Sequence, residues 1–233
     1  MNLKPETVAK YIKLAMDALN YFIAILCNCH VAFSYGNEKI GRVLNVSLLP
    51  ILTCGKNCRV CKGICYDIKA CLRFADIRGG VLAARAKNTA LALYDEARYF
   101  EEIDRKMSRR KKNKFLRWHV GGDIPSLSYF IHMVELARKH PDFVCWTYTK
   151  QYYIVNEYCR IYGKESIPEN LSVMFSVWDG LELDNPYGFA TFKCVLTGRS
   201  FTPGVHRCPG NCKVCLDSKT GCPYQQDTEN GQH

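Results

Sequence analysis

The chain has 233 residues, 48% of them hydrophobic and 23% charged, which excludes a disordered or fibrous protein and allows one large domain or two small ones. Its net charge is +10, and its 14 cysteines fall below the ~8–10% of a short disulfide scaffold. Eight of those cysteines lie in two tight groups, a spacing that metal sites require and disulfide frameworks do not.

Residues 5–30 read as an opening helix. Val8, Tyr11, Ile12, Ala15, Leu19, Phe22, Ile23 and Leu26 recur at three- and four-residue steps, which gives one buried helical face and not a membrane span. Asp17 and Asn20 precede the most apolar stretch and no small-residue cleavage pattern follows it, so a signal peptide is not expected. The expected compartment is cytoplasmic, where thiols stay reduced and free to bind metal. A turn at Tyr35-Gly36-Asn37 leads to a strand over Val43–Leu49, closed by Pro50, and Cys54, Cys58, Cys61 and Cys65 follow. A long helix is expected over 80–104, with a stripe of Leu82, Ala86, Ala90, Leu93, Ala97 and Phe100.

The segment 105–117 carries eight basic residues and no acidic one: Arg105, Lys106, Arg109, Arg110, Lys111, Lys112, Lys114 and Arg117. It reads either as a solvated helix end or as a phosphate-binding patch for nucleic acid, with Arg109, Arg110, Lys111, Lys112 and Lys114 as candidate contacts. The sequence shows no aromatic-interleaved basic surface of the kind that single-strand binders use.

Phe115–Val120 reads as a strand ended by Gly121-Gly122-Asp123, Ser126–Lys139 as a helix, and Phe143–Thr149 as a strand ending at Lys150. Residues 151–162 look helical. Leu171–Trp178 alternates as a strand up to Asp179-Gly180, Phe189–Leu196 is a weaker strand, and from about 204 no helical or strand period remains. This alternation predicts an α/β protein built from right-handed βαβ units. The expected sheet is a partial (β/α) barrel or an open parallel sheet of about five strands, with an N-terminal helix and an irregular Cys-rich C-terminal segment. The expected division is an α/β unit over 1–200 and a metal-binding segment over 201–233. Function is expected at the C-terminal ends of the strands, where the first cysteine group, Asp123, Lys150 and Asp179 fall.

The groups are Cys54-x3-Cys58-x2-Cys61-x3-Cys65 and Cys208-x3-Cys212-x2-Cys215-x6-Cys222. Thiolates on short spacers let one loop wrap one iron–sulfur or zinc site. Each group has a single C-x2-C and not the two pairs usual for zinc; this favours iron in the first group, and the second leaves iron and zinc open. Cys27, Cys29, Cys71, Cys145 and Cys159 read as core residues, and Cys194 as intermediate. His119, Trp118 and Tyr148 read as packing neighbours of the strand ends.

Two resemblances follow from these residues. Cys54, Cys58 and Cys61 after the first strand, with Gly121-Gly122-Asp123-Ile124-Pro125 after the second, resemble the motifs of radical SAM enzymes. That likeness implies a [4Fe–4S] cluster whose open iron binds S-adenosylmethionine, contacted by Gly121, Gly122 and Asp123, with Lys150 and Asp179 lining a substrate pocket and a second, auxiliary cluster near the C-terminus. Asp123 stands where that family has Glu, Val60 where an aromatic is common, and Cys65 as a fourth ligand would close the cluster. The stretch from Gly36-Asn37 through Cys65-Tyr66 and Gly122-Asp123-Ile124 to Tyr148-Thr149-Lys150 resembles a phage and prophage family named for a mycobacteriophage gene product, number eighty-eight. That likeness implies a protein of a bacterial host's cytoplasm. Three functions stay open. One is a radical-SAM-like enzyme. Another is a non-enzymatic iron–sulfur protein with closed clusters, served by an electron donor if redox-active. The last is a zinc-stabilised nucleic-acid-binding accessory protein.

Overall fold

The computed structural model describes residues 2–36, 42–73, 75–195 and 200–231. Asn37 of the expected turn and Leu196 of the last expected strand lie outside them.

Helix α1 spans Pro5–Ala24, starting on a proline whose missing N–H costs nothing at that position. It is shorter than the sequence suggested, because a 3-10 turn at Leu26–Asn28 follows. Strand β1 (Leu44–Val46) leads into the first cysteine loop, and α2 (Tyr66–Arg73) closes that loop. The single helix expected over 80–104 is two, α3 (Gly80–Tyr94) and α4 (Glu96–Ser108). Asp95 ends one and caps the next by accepting from the Arg98 N–H, so a chain break was hidden inside a continuous apolar stripe. Strands β2 (Phe115–Trp118), β3 (Val144–Thr149) and β4 (Leu171–Val177) alternate with α5 (Leu127–Lys139) and α6 (Tyr152–Tyr162).

Strand β5 (Thr191–Val195) is followed by a tail that is not irregular: β6 (His206–Arg207), α7 (Cys212–Ser218) and β7 (Thr228–Gly231) form there. The sheet therefore has seven strands, not five, in the order β1-β2-β3-β4-β5-β7-β6, with every pair parallel. The late strands escaped notice because they are two and four residues long and polar. Strands β1 to β5 pair in chain order, and right-handed crossovers between them place their helices on one face, the winding of a barrel and not of a doubly wound sheet. Leu116, Trp118, Cys145, Leu171, Val173 and Phe175 point to that outer face and join the main core with α1 and α3 to α6. Val43, Phe115, Val144, Trp146 and Tyr148 point to the inner face, where Leu216 and Tyr224 of the cysteine-rich tail cover them.

Cys29, Cys71, Cys145 and Cys159 are buried as expected, whereas Cys27 is exposed. Trp118 and His119 are core residues. His119 adopts φ 54°, with Nδ1 3.3 Å from Thr147 Oγ1 and Nε2 3.1 Å from the Tyr129 hydroxyl, which is itself 3.1 Å from the Tyr99 hydroxyl. Burial lowers its pKa to about 3, so it is neutral in the fold at pH values where the unfolded chain protonates it. Below pH ~6.5 the unfolded state binds the extra proton, and stability falls with pH. We expect a loss of roughly 1 kcal/mol per pH unit between pH ~6.5 and ~3, read by urea unfolding. His119→Asn, which tolerates the left-handed backbone, should flatten that slope. An unchanged slope in the variant would remove His119 as its source.

Candidate metal centre

The first cysteine loop sits at the C-terminal edge of the sheet and is tied to the next two strand ends. Short 3-10 turns over Lys56–Val60 and Lys62–Ile64 fold the loop on itself, with Cys58 N–H donating to Gly55 O (3.3 Å) and Cys61 N–H to Cys58 O (3.1 Å). Gly55 has φ 59°, and a Cβ there would fall 2.6 Å from Gln151 Nε2, so the loop can approach the β3 end only without a side chain. Asn57 Nδ2 donates to Lys150 O at 2.5 Å, and Asp123 N–H donates to Thr53 Oγ1 at 3.3 Å.

Asp123 is 1% exposed. Its carboxylate accepts from Thr149 Oγ1 (2.6 Å) and Lys150 N–H (2.9 Å), which fasten the β2 end to the β3 end, and from its own neighbour Ile124 N–H (2.8 Å). Burial raises its pKa, against the pull of Lys150 and these donors. The Lys150 ammonium lies within electrostatic reach of Cys61, Cys54 and Cys65 as well as Asp123, and 5.9 Å over the Trp178 ring. Burial pushes the thiols of Cys54 and Cys61 up, and that of Cys65 to about 11, so the metal-free thiols are protonated at neutral pH. Cys65 takes backbone N–H bonds from Ile68 and Asp67 at the start of α2, and Cys58 adjoins Cys61. Asp179 is exposed beyond β4.

Neither Gly121 nor Gly122 has room for a side chain. A Cβ on Gly121 would lie 1.7 Å from Asp67 Oδ2, and one on Gly122, at φ 80°, would lie 2.6 Å from Thr53 Oγ1.

The second cysteine group lies on the inner face. Cys208 follows β6, Cys212 and Cys215 are on α7, and Cys222 opens a 3-10 turn held by Ser172 Oγ donating to Cys222 O at 2.5 Å. Cys215 senses Cys208, Cys222 and Cys212, and burial raises its thiol to about 11. The hydroxyls of Tyr148 and Thr228 reach the Cys222 sulfur. Two neighbours were invisible in the sequence. His206 Nε2 is 3.7 Å from Cys215 Sγ, because parallel pairing with β7 aims His206 at the inner face. Arg117, the last cation of the basic segment and part of the strand expected over Phe115–Val120, lies on β2, where it turns inward and lies 5.2 Å over the Tyr148 ring. Its Nε is buried without a partner. The ionisable groups around it are Tyr148, Tyr66, Cys212 and Cys222, and among the described residues no carboxylate pairs with it.

Among the described residues, no group of three or more His, Cys, Asp or Glu side chains is already set to hold a metal ion. No helix is long and apolar enough to cross a membrane.

Fold and site together define a singly wound, parallel α/β protein with one cysteine group at the strand ends and another on the inner face. A family model described as Gene product 88 matches residues 25–186, more than half of the chain. The chain belongs to that phage family, as the likeness of its strand-end residues implied. No curated protein and no solved structure matches the chain.

Proposed function

We propose that this phage-family protein is an iron–sulfur protein whose first cysteine group, Cys54, Cys58, Cys61 and Cys65, holds a closed [4Fe–4S] cluster, and whose second group, Cys208, Cys212, Cys215 and Cys222, holds a further thiolate centre. One observation carries this reading: each group gathers around a half-buried cation, Lys150 in the first and Arg117 in the second. Four thiolates around a [4Fe–4S]²⁺ core or a Zn²⁺ ion leave a charge of about −2, which is the partner these cations otherwise lack. Protonated thiols supply none of it. Asp123 offsets Lys150 in part; among the described residues no carboxylate does so for Arg117. Such a centre supplies one-electron transfer or a structural brace. The chain's part is to bring four thiols to one edge, hold Lys150 beside them through Asp123, and turn the sulfurs inward by rotation about χ1.

Cys65 favours the closed form, since it adjoins Cys61. The occupied carboxylate of Asp123 favours it too, because that group is already spent on Thr149 and Lys150. A radical-SAM-like enzyme remains the second reading, favoured by the singly wound strand order with the cysteine loop after β1. Anaerobically purified protein is expected to be brown and to contain iron and sulfide. Cys54→Ala and Cys58→Ala should each abolish the first cluster's signal, and S-adenosylmethionine should leave the electron paramagnetic resonance of the reduced cluster unchanged. Colourless protein holding only zinc overturns the iron–sulfur reading. A spectrum that shifts with S-adenosylmethionine transfers the site to the second reading.

A further inference from the structure

In three dimensions the basic segment meets aromatic residues from a distant part of the chain. An extended run before β1 crosses the C-terminal turn of α4, fixed from both sides. Val31 N–H donates to Glu102 Oε2 at 2.7 Å, Ala32 N–H to Asn88 Oδ1 at 2.7 Å, and Ser34 exchanges backbone hydrogen bonds of 3.0 and 2.8 Å with Asn45. In an extended chain residues 33 and 35 share a side, so Phe33 and Tyr35 come down together on the helix end. Lys106 Nζ stands between them, 5.5 Å from the Phe33 centroid and 5.3 Å from that of Tyr35, and the Arg110 guanidinium is 5.9 Å from Tyr35. The result is a cleft of about 350 Å³ lined by Phe33, Tyr35, Arg105, Lys106, Arg109 and Arg110.

Among the described residues its charge is one-signed in effect. Glu102 borders the cleft, but its carboxylate is only 10% exposed and is held by His30 Nδ1 and Val31 N–H. Arg105 is paired with Glu101 at 2.7 Å. Among the described residues no carboxylate pairs with Lys106, Arg109, Arg110, Lys111 or Lys112, and Lys114 meets Asp142. The bland explanation, cations complementing a helix C-terminus, accounts for Arg105 and Lys106 but not for Arg109 to Lys112 beyond the helix, nor for a tyrosine left 50% exposed among them.

We propose that this cleft binds single-stranded nucleic acid, with a base stacked on Tyr35 and Phe33 and the flanking phosphates on Lys106, Arg109 and Lys111. Unpaired bases offer a π-face to an aromatic ring whatever their identity, and clustered cations release the strand's counterions. A duplex hides its base faces and would engage the cations alone. The inference is independent of the metal centres, which lie at the strand ends and on the inner face.

Fluorescence anisotropy of a labelled oligo-dT and of an abasic strand of the same length, titrated with the full-length protein at low salt, tests this. The oligo-dT is expected to bind about tenfold tighter than the abasic strand. Tyr35→Ala should remove that preference, at a loss of about fivefold to a hundredfold, while Tyr35→Phe keeps it. Arg109→Ala should weaken both strands and lower the salt slope by about 0.7. Circular dichroism of each exposed-site variant checks that it is folded. Equal binding of the two strands, or a Tyr35→Ala protein that still prefers bases, overturns the stacking site and leaves a charge patch. Absence of binding at low salt overturns the proposal altogether.

Discussion

Gly121→Ala is expected to destabilise the protein by about 3–5 kcal/mol, the cost of breaking a buried ion pair. The added methyl would lie 1.7 Å from Asp67 Oδ2. A carboxylate end can usually swing aside, but this one is 3% exposed and accepts from Arg85 Nε at 3.2 Å and from Nη2 at 3.1 Å. Moving it strands the Arg85 charge between α2 and α3, whose packing against α1 supports the cysteine loop. Gly121 is not at positive φ, so the loss is steric and should be smaller on an Asp67→Ser background, where the clash is gone. Urea unfolding of the two single variants and the double variant measures that coupling. If Gly121→Ala folds with full stability yet alters binding of S-adenosylmethionine, the glycine serves a ligand and not the packing argued here.

That example shows what was legible. The βαβ alternation from β1 to β4 could be read because buried strands and amphipathic helices have periods of two and 3.6, and tertiary packing agreed with both. The Asp95 break was hidden because the apolar stripe runs through it, and only the cap onto Arg98 reveals two helices. The tail could not be read because β6 and β7 are short, polar and stabilised by pairing with each other and with β5. The cysteine groups were visible as spacing. Their surroundings were not, since Arg117 and His206 reach the second group through strand register, and a shift of one residue would turn each to the opposite face. The same holds for Phe33 and Tyr35, which are some 70 positions in sequence from the cations they meet.

The register of Arg117 yields the second large effect. In the metal-free protein its guanidinium is half-buried over Tyr148 with an orphaned Nε, so the side chain contributes packing and a cation–π contact while its charge goes uncompensated. Replacing it with a flexible apolar side chain of similar length removes that penalty. Arg117→Met is therefore expected to leave metal-free stability unchanged or raise it by on the order of 1 kcal/mol. In the loaded protein the sign reverses. A thiolate centre of charge about −2 beside Cys212 and Cys222 then loses a close cation, and loading should weaken by about 3 kcal/mol, roughly a hundredfold in retention. Arg117→Lys keeps the charge and should recover most of the loading. Thermal unfolding of each variant, chelator-treated and reconstituted with iron and sulfide or with Zn²⁺, reads both signs in one experiment. The first-group variant Cys54→Ala serves as background, so that the signal comes from the inner-face centre. Equal losses in the two states would make Arg117 a packing residue and would withdraw the charge argument for a metal at the second cysteine group. Opposite signs follow only if an anionic centre forms beside the guanidinium when metal is supplied.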